Sequence, residues 1–160
     1  MEKVSRDWRR PLMPLLHRAG RAYWRLFRPI TLGVKLLLVR AGQVVLVRHT
    51  YGEGWHLVGG AVKRGETADA AGRREAREEV GATLGALRLF GVFTHFDEYK
   101  SDHVVVFVCD DFQLAGARSP EIAETRAFDL TALPADVSPA TRRRIAEYLN
   151  ADWQATAGDW

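Results

Sequence analysis

The chain is 160 residues long, 47% hydrophobic and 27% charged, which suits a single globular domain with a proper core. Its one cysteine, Cys109, excludes an internal disulfide, and no run approaches the roughly 18–20 apolar residues that a membrane-spanning helix needs. The net charge of +3 is uneven: residues 1–30 carry Lys3 and seven arginines against Glu2 and Asp7, a net +6, so the remainder sums to −3.

The first apolar pieces, such as "PLMPLL", are short, are interrupted by arginines and lead to no small-residue cleavage site, so a cytoplasmic location is expected. From about Leu12 to Phe27, the residues Leu15, Leu16, Ala19, Ala22, Tyr23, Leu26 and Phe27 recur at helical spacing, with Arg18, Arg21, Arg25 and Arg28 opposite. This predicts an amphipathic helix that starts near Pro11 and Pro14 and ends at Pro29. Residues 1–30 are thus a basic arm whose apolar stripe has to cover something. Its own sheet, a second copy of the chain in a homodimer and an anionic membrane surface all fit. The arm's aromatics share the apolar face instead of interleaving with the arginines, so sequence-specific nucleic-acid binding is not expected.

Residues 31–150 read as the main domain. "ITLGVKLLLVR" and "QVVLVRH" are apolar, β-branched runs split by Ala41–Gly42, which predicts a hairpin. "TYGEGWHLVGG" is a glycine-rich loop. "TADAAGRREAREEVG" is a helix capped by Thr67 and stopped by Gly81. Gly72 inside it costs about 1 kcal/mol relative to alanine, which points to close packing or a need for a small residue. "ALRLFGVFTHF" and "HVVVFVCDDF" are strands joined by the turn "DEYKSD", with Cys109 a buried core thiol in the second. "ETRAFDL" is a further strand. "SPATRRRIAEYLN" is a helix with Ser138 as N-cap and Pro139 in its first turn. The tail, 151–160, is small and polar apart from Trp153 and Trp160, and is expected to fray. Strands on both sides of one central helix predict a mixed sheet covered by helices on both faces.

The central helix poses a physical problem. Glu75, Glu78 and Glu79 stand at i, i+3 and i+4, on one face, where like charges repel. A hard divalent cation removes that repulsion, and carboxylates beside a glycine-rich loop supply the all-oxygen donors that Mg²⁺ or Mn²⁺ prefers. The scattered histidines His17, His49, His56, His95 and His103 show no ligand spacing.

The segment Gly60–Ala82 resembles the Nudix box, G-x5-E-x7-R-E-U-x-E-E-x-G-U, where U is a bulky aliphatic residue. Gly60, Glu66, Arg74, Glu75, Glu78, Glu79 and Gly81 fill all seven fixed positions. The two U positions hold Ala76 and Ala82, and Val58 stands where a proline usually precedes the glycine pair. The resemblance runs from about Thr31 to Leu133 and leaves out the arm. It implies an α+β fold, an α/β/α sandwich with a mixed sheet. It also implies metal-dependent hydrolysis of a diphosphate linkage in a nucleotide, dinucleotide or nucleotide sugar. Position by position, Glu75, Glu78 and Glu79 would bind the metal with the Gly60 carbonyl. Glu75 would activate water, Arg74 would orient Glu75, and Glu66 would be structural or an outer ligand. Glu121, Glu124 and Glu98 are the candidates for a further ligand or base. Arg48, Lys63 and Arg64 flank the loop where phosphates would lie, and Tyr51 and Trp55 are placed to stack on a base. A non-catalytic nucleotide-binding module and hydrolysis at an RNA 5′ end are the other readings.

Overall fold

A computed structural model describes residues 30–97, 100–116, 119–150 and 153–160. The helix expected over Leu12–Phe27 lies outside the described residues, as does Glu98.

The hairpin forms as its sequence predicts: β1 (Ile30–Arg40), then β2 (Gln43–His49). Ala41 and Gly42 turn the chain with φ of 51° and 77°, and positive φ at both turn residues matches the right-handed twist of the strands. Both strands are apolar on successive residues because both faces are covered. Leu37, Val39, Val44 and Leu46 enter one core; Leu36, Leu38, Val45 and Val47 enter the other. The chain continues through β3 (His56–Leu57), α1 (Ala68–Val80), β4 (Ala82–Leu84), β5 (Arg88–Asp97), β6 (Lys100–Cys109), β7 (Phe112–Leu114), β8 (Ile122–Asp129), α2 (Pro139–Tyr148) and β9 (Thr156–Asp159).

The main sheet runs β3-β2-β1-β6-β5-β9, with β8 also paired to β2, and β4 pairs β7 separately. β1 with β6 and β5 with β9 are parallel and the other pairs antiparallel, so the sheet is mixed. β1 and β2 pair only next to their turn, at Val39↔Val44 and Arg40↔Gln43, and then separate. The glycine-rich loop fills the gap. Leu57 pairs with Leu46 of β2, while the carbonyls of Val58 and Gly60 accept the N–H groups of Leu36 and Val34 on β1, each at 2.9 Å. The loop is thereby fixed in the sheet.

Helix α1 covers one face through Ala76 and Val80, and α2 lies on the other through Ile145. The architecture is the expected α/β/α sandwich with a mixed sheet. The caps also form: the Thr67 hydroxyl accepts the Ala70 N–H at 3.1 Å, and Gly81 ends α1 in the left-handed region at φ 64°. Close packing accounts for Gly72, where a Cβ would lie 3.2 Å from Leu36 Cδ2 and 3.5 Å from a Val34 methyl.

The tail corrects the reading that it frays. β9 pairs in parallel with Gly91–Thr94 of β5. Trp153 rests on Phe90 with ring centroids 4.9 Å apart, and Trp160 rests on Phe93 at 6.2 Å. Two indoles bury enough apolar surface to hold an otherwise polar segment. Arg144 adds a hydrogen bond to the Asp159 carbonyl at 3.0 Å.

Candidate active site

The phase of α1, set by its Thr67 cap, turns Glu75 and Glu79 toward the glycine pair that the sheet holds. Gly59 has φ 130°, and a Cβ on it would meet the Val34 carbonyl oxygen at 2.2 Å. A Cβ on Gly60 would meet the Glu75 carboxylate at 2.7–3.0 Å. Both glycines are therefore required: the first by backbone conformation and contact, the second by the carboxylate against it.

Glu79 is buried, and its Oε2 accepts the Gly59 N–H at 2.8 Å. Burial pushes its carboxyl up to about 7; the Gly59 N–H and the Lys35 charge oppose the rise, and the charges of Glu75 and Glu121 add to it. Lys35, from β1, donates to the carbonyls of Gly59 at 2.5 Å and Leu57 at 3.2 Å. Burial lowers its pKa against the pull of Glu79, Glu75 and Asp102.

Arg74 joins the box to itself. Its Nε and Nη2 donate to the two oxygens of Glu66, each at 2.9 Å, and Nη2 also donates to the Ala61 carbonyl at 3.0 Å. Its Nη1 donates to Glu75 at 2.5 Å and to the half-exposed Glu78 at 3.3 Å. Glu66 takes the Lys63 N–H as well, at 3.0 Å. The Arg74 hydrogen bonds hold the Glu66 carboxyl down at about 2.

The other expected residues divide. Glu121 is exposed just before β8, where its main-chain carbonyl accepts the Thr50 N–H at 2.9 Å, and its charge adds a small rise to Glu79. Glu124 is an exposed β8 residue, cross-strand from Arg48 and 4.0 Å from Arg126. Lys63 and Arg64 are exposed on the loop. Tyr51 is exposed and stacks on His49, centroids 5.1 Å apart. Trp55 is not a free stacking surface: it is a core residue, edge-on to Phe128 at 4.7 Å and covered by the Arg48 guanidinium at 4.7 Å. Arg48 is in turn held by Asp136 at 2.7 Å, which ties it to the chain before α2 instead of leaving it for phosphate. The Gly60 carbonyl accepts the Val34 N–H and the Gly59 carbonyl accepts the Lys35 ammonium, so each keeps one further lone pair.

The donor chemistry fits a hard divalent ion: three carboxylates and a carbonyl, with Glu79 raised chiefly by its burial. Among the described residues no three His, Cys, Asp or Glu side chains already converge as a cage. Glu75 and Glu78 turn instead to Arg74.

Two residues escaped the sequence reading. Lys35 is a lone charge inside the apolar run "LGVKLLLV", and that interruption was the available signal. Trp160 was hidden in a segment read as frayed, although a tryptophan among small polar residues marks an apolar anchor.

A model of the NUDIX domain matches residues 29–149. An oxidized purine nucleoside triphosphate hydrolase of Danio rerio is 34% identical over 104 residues, which cover 62% of this chain and 66% of that protein's own length. A MutT NUDIX hydrolase from Burkholderia pseudomallei superposes with a TM-score of 0.67 at 25% identity, over 74% of this chain and 97% of that one. An ADP-ribose pyrophosphatase from Streptococcus suis shares the fold, with a TM-score of 0.59 at 17% identity over 79% of this chain and 98% of that one. With the box residues folded as a loop and helix around one carboxylate face, and with the match running through residues 29–149, the chain belongs to the NUDIX family of hydrolases.

Proposed function

We propose that the protein hydrolyses a phosphoric anhydride bond in a nucleoside diphosphate derivative, using Mg²⁺ or Mn²⁺. The carboxylates of Glu75, Glu78 and Glu79 would hold the ion with the Gly60 carbonyl, which keeps a lone pair beside the one taken by the Val34 N–H. One observation carries this reading: a buried glutamate, raised to about 7, is hydrogen-bonded to the glycine pair beside two further carboxylates. A divalent ion bound there supplies a water that ionises near neutral pH and offsets phosphate charge.

The chain's own residues do the rest. Glu75, packed on Gly60 and fixed by Arg74, takes the proton of the attacking water. Water adds across one P–O–P bridge: its oxygen joins one phosphorus, and the bridging oxygen leaves with the other phosphate. Lys35 sets a positive charge beside the glycine pair and favours phosphate oxygens there. Glu121 stands close enough to act on Glu79 and is the further ligand or base we assign, ahead of Glu124.

Likeness to an oxidized purine nucleoside triphosphate hydrolase makes nucleoside triphosphates, oxidised purines included, the first substrates to test. A binding-only module would have no need of the Arg74–Glu75 pair packed against Gly60. The test is phosphate or pyrophosphate release from a panel of nucleoside triphosphates, dinucleotides and nucleotide sugars with Mg²⁺ and Mn²⁺. Glu79→Gln serves as the inactive control, and release that is independent of metal or unchanged in Glu79→Gln sinks the assignment.

A further inference from the structure

On the α2 side of the sheet two hollows lie next to each other, of about 310 Å³ and about 340 Å³. The first runs along β1 to Gly60 and Ala61; the second lies between His56–Leu57 and the start of α2 at Ser138–Thr141. Lys35 and Trp160 line both. Lys35 links them to the glycine pair through its bond to the Gly59 carbonyl. Trp160 stands between them as an aromatic wall.

The indole is held from several directions. Its N–H on the main chain bonds to the Thr94 carbonyl at 3.0 Å, and Arg143 donates to its main-chain oxygen. Phe93 backs the ring, and the Arg144 guanidinium lies 5.8 Å from the ring centroid. The nearby polar side chains are already partnered: Thr31 donates to Asp102 at 2.7 Å, and Ser138 to Thr141 at 2.9 Å. A flat ring fixed in advance beside these hollows suits a planar guest at little ordering cost.

Resting on the hydrolase reading, we propose that Trp160 is the stacking surface for the base of the substrate. The strand β9 that carries it is then part of the binding site, and Lys35 marks the path from base to phosphates. The loop tryptophan Trp55, whose ring is enclosed in the core, cannot serve.

The experiment measures equilibrium binding, without divalent metal, of ATP, GTP, CTP, UTP and tripolyphosphate to the full chain. The proteins are the parent, Trp160→Phe, Trp160→Leu and Tyr51→Leu. Leucine fills the place against Phe93 but has no π face, so it separates stacking from packing. Trp160→Leu is expected to weaken the tightest nucleotide about tenfold, as loss of one base stack does, with tripolyphosphate binding unchanged and phenylalanine restoring most of the loss. Its KM for that nucleotide rises while kcat stays. Equal weakening of nucleotide and tripolyphosphate would overturn the proposal in favour of a merely structural role. So would a loss confined to Tyr51→Leu, or a parent that binds no nucleotide more tightly than tripolyphosphate. Failure of the hydrolase reading itself appears separately, as unchanged turnover in Glu79→Gln, and leaves the binding comparison intact.

Discussion

Glu79 and Lys35 grip the same glycine, Gly59, the first through its N–H at 2.8 Å and the second through its carbonyl at 2.5 Å. Glu79 comes from α1 and Lys35 from β1, whose neighbours on its face, Leu37 and Val39, enter the α2-side core. The loop is thus clamped by opposite charges reaching it from the two sides of the sheet. Burial disfavours the charged form of both groups.

Glu79 makes the metal-free protein sensitive to pH. Its carboxyl titrates near 7 when folded and near the ordinary 4.5 when unfolded. Between those values the folded chain keeps a proton that the unfolded chain has lost. The stability it contributes is therefore full below about 4.5 and lost as pH rises through 7, on the order of 3 kcal/mol in all. In a chelator, Tm is expected to fall between pH 5 and pH 8, and Glu79→Gln should flatten that fall. Equal slopes in parent and variant would show that Glu79 carries no such charge.

Metal should reverse the same penalty. Mg²⁺ or Mn²⁺ at about 100 times its Kd adds about 2.7 kcal/mol to folding if it binds only the native state. Glu78→Gln removes a half-exposed carboxylate that accepts a 3.3 Å hydrogen bond from Arg74. Its metal-free stability should stay within about 0.5 kcal/mol of the parent. Its metal-induced rise in Tm should vanish, and turnover should drop at least about a hundredfold, the scale of losing a principal charge-stabilising group. Thermal melts with and without metal, beside a turnover assay, check both halves. A variant that keeps the metal-induced rise removes Glu78 from the ligand set.

Arg74→Lys tests whether the forked guanidinium matters or only its charge. Lysine cannot bridge both Glu66 oxygens while reaching Glu75. Turnover is expected to fall about tenfold or more as Glu75 loses its alignment. Glu66 gives an independent readout. Its stabilising contribution is present above about 4.5 and lost as pH falls toward 2, because its folded value is the depressed one. In Arg74→Lys the Glu66 titration followed by NMR should move up toward the ordinary carboxylate range. A Glu66 that still titrates near 2 would mean that Arg74 is not its anchor.

The parts of the molecule that were legible in sequence are those governed by local rules. Thr67, Gly81 and Ser138 mark helix ends through their own backbone chemistry, and β1 and β2 announce two-sided burial by unbroken apolar runs. The carboxylate face was legible because helical spacing alone puts Glu75, Glu78 and Glu79 together. What escaped depends on the path of the chain in space. Trp55 looked like a loop aromatic and is core, because the loop runs inside the sheet. Trp160 looked loose because a parallel partner for β9 lies more than 60 positions back in sequence.

The basic arm, residues 1–29, lies outside the described residues. On the face of the sheet that α1 occupies, the helix covers the Leu36–Leu38 end and leaves the other end open. Ile30 is 77% exposed there and Phe96 74%, with Leu32 and Val92 also exposed. These are one surface, since Ile30 and Phe96 both stand opposite Ser101, and cross-strand partners share a face. Ile30, the first described residue, stands on this patch. A helix over Leu12–Phe27 would be about 24 Å long, well within the roughly 36 Å span of the eleven residues of β1. Its apolar stripe is expected to cover this patch, with its arginines turned to water. Deleting residues 1–28 should then leave the metal-induced rise in Tm intact but lower solubility or raise the mass in solution, as the bared face finds other partners. Sedimentation of the truncated chain, with flotation of the full chain on anionic vesicles, decides. A truncated chain of unchanged mass and solubility, or a full chain that floats with vesicles, would place the stripe elsewhere than on its own sheet.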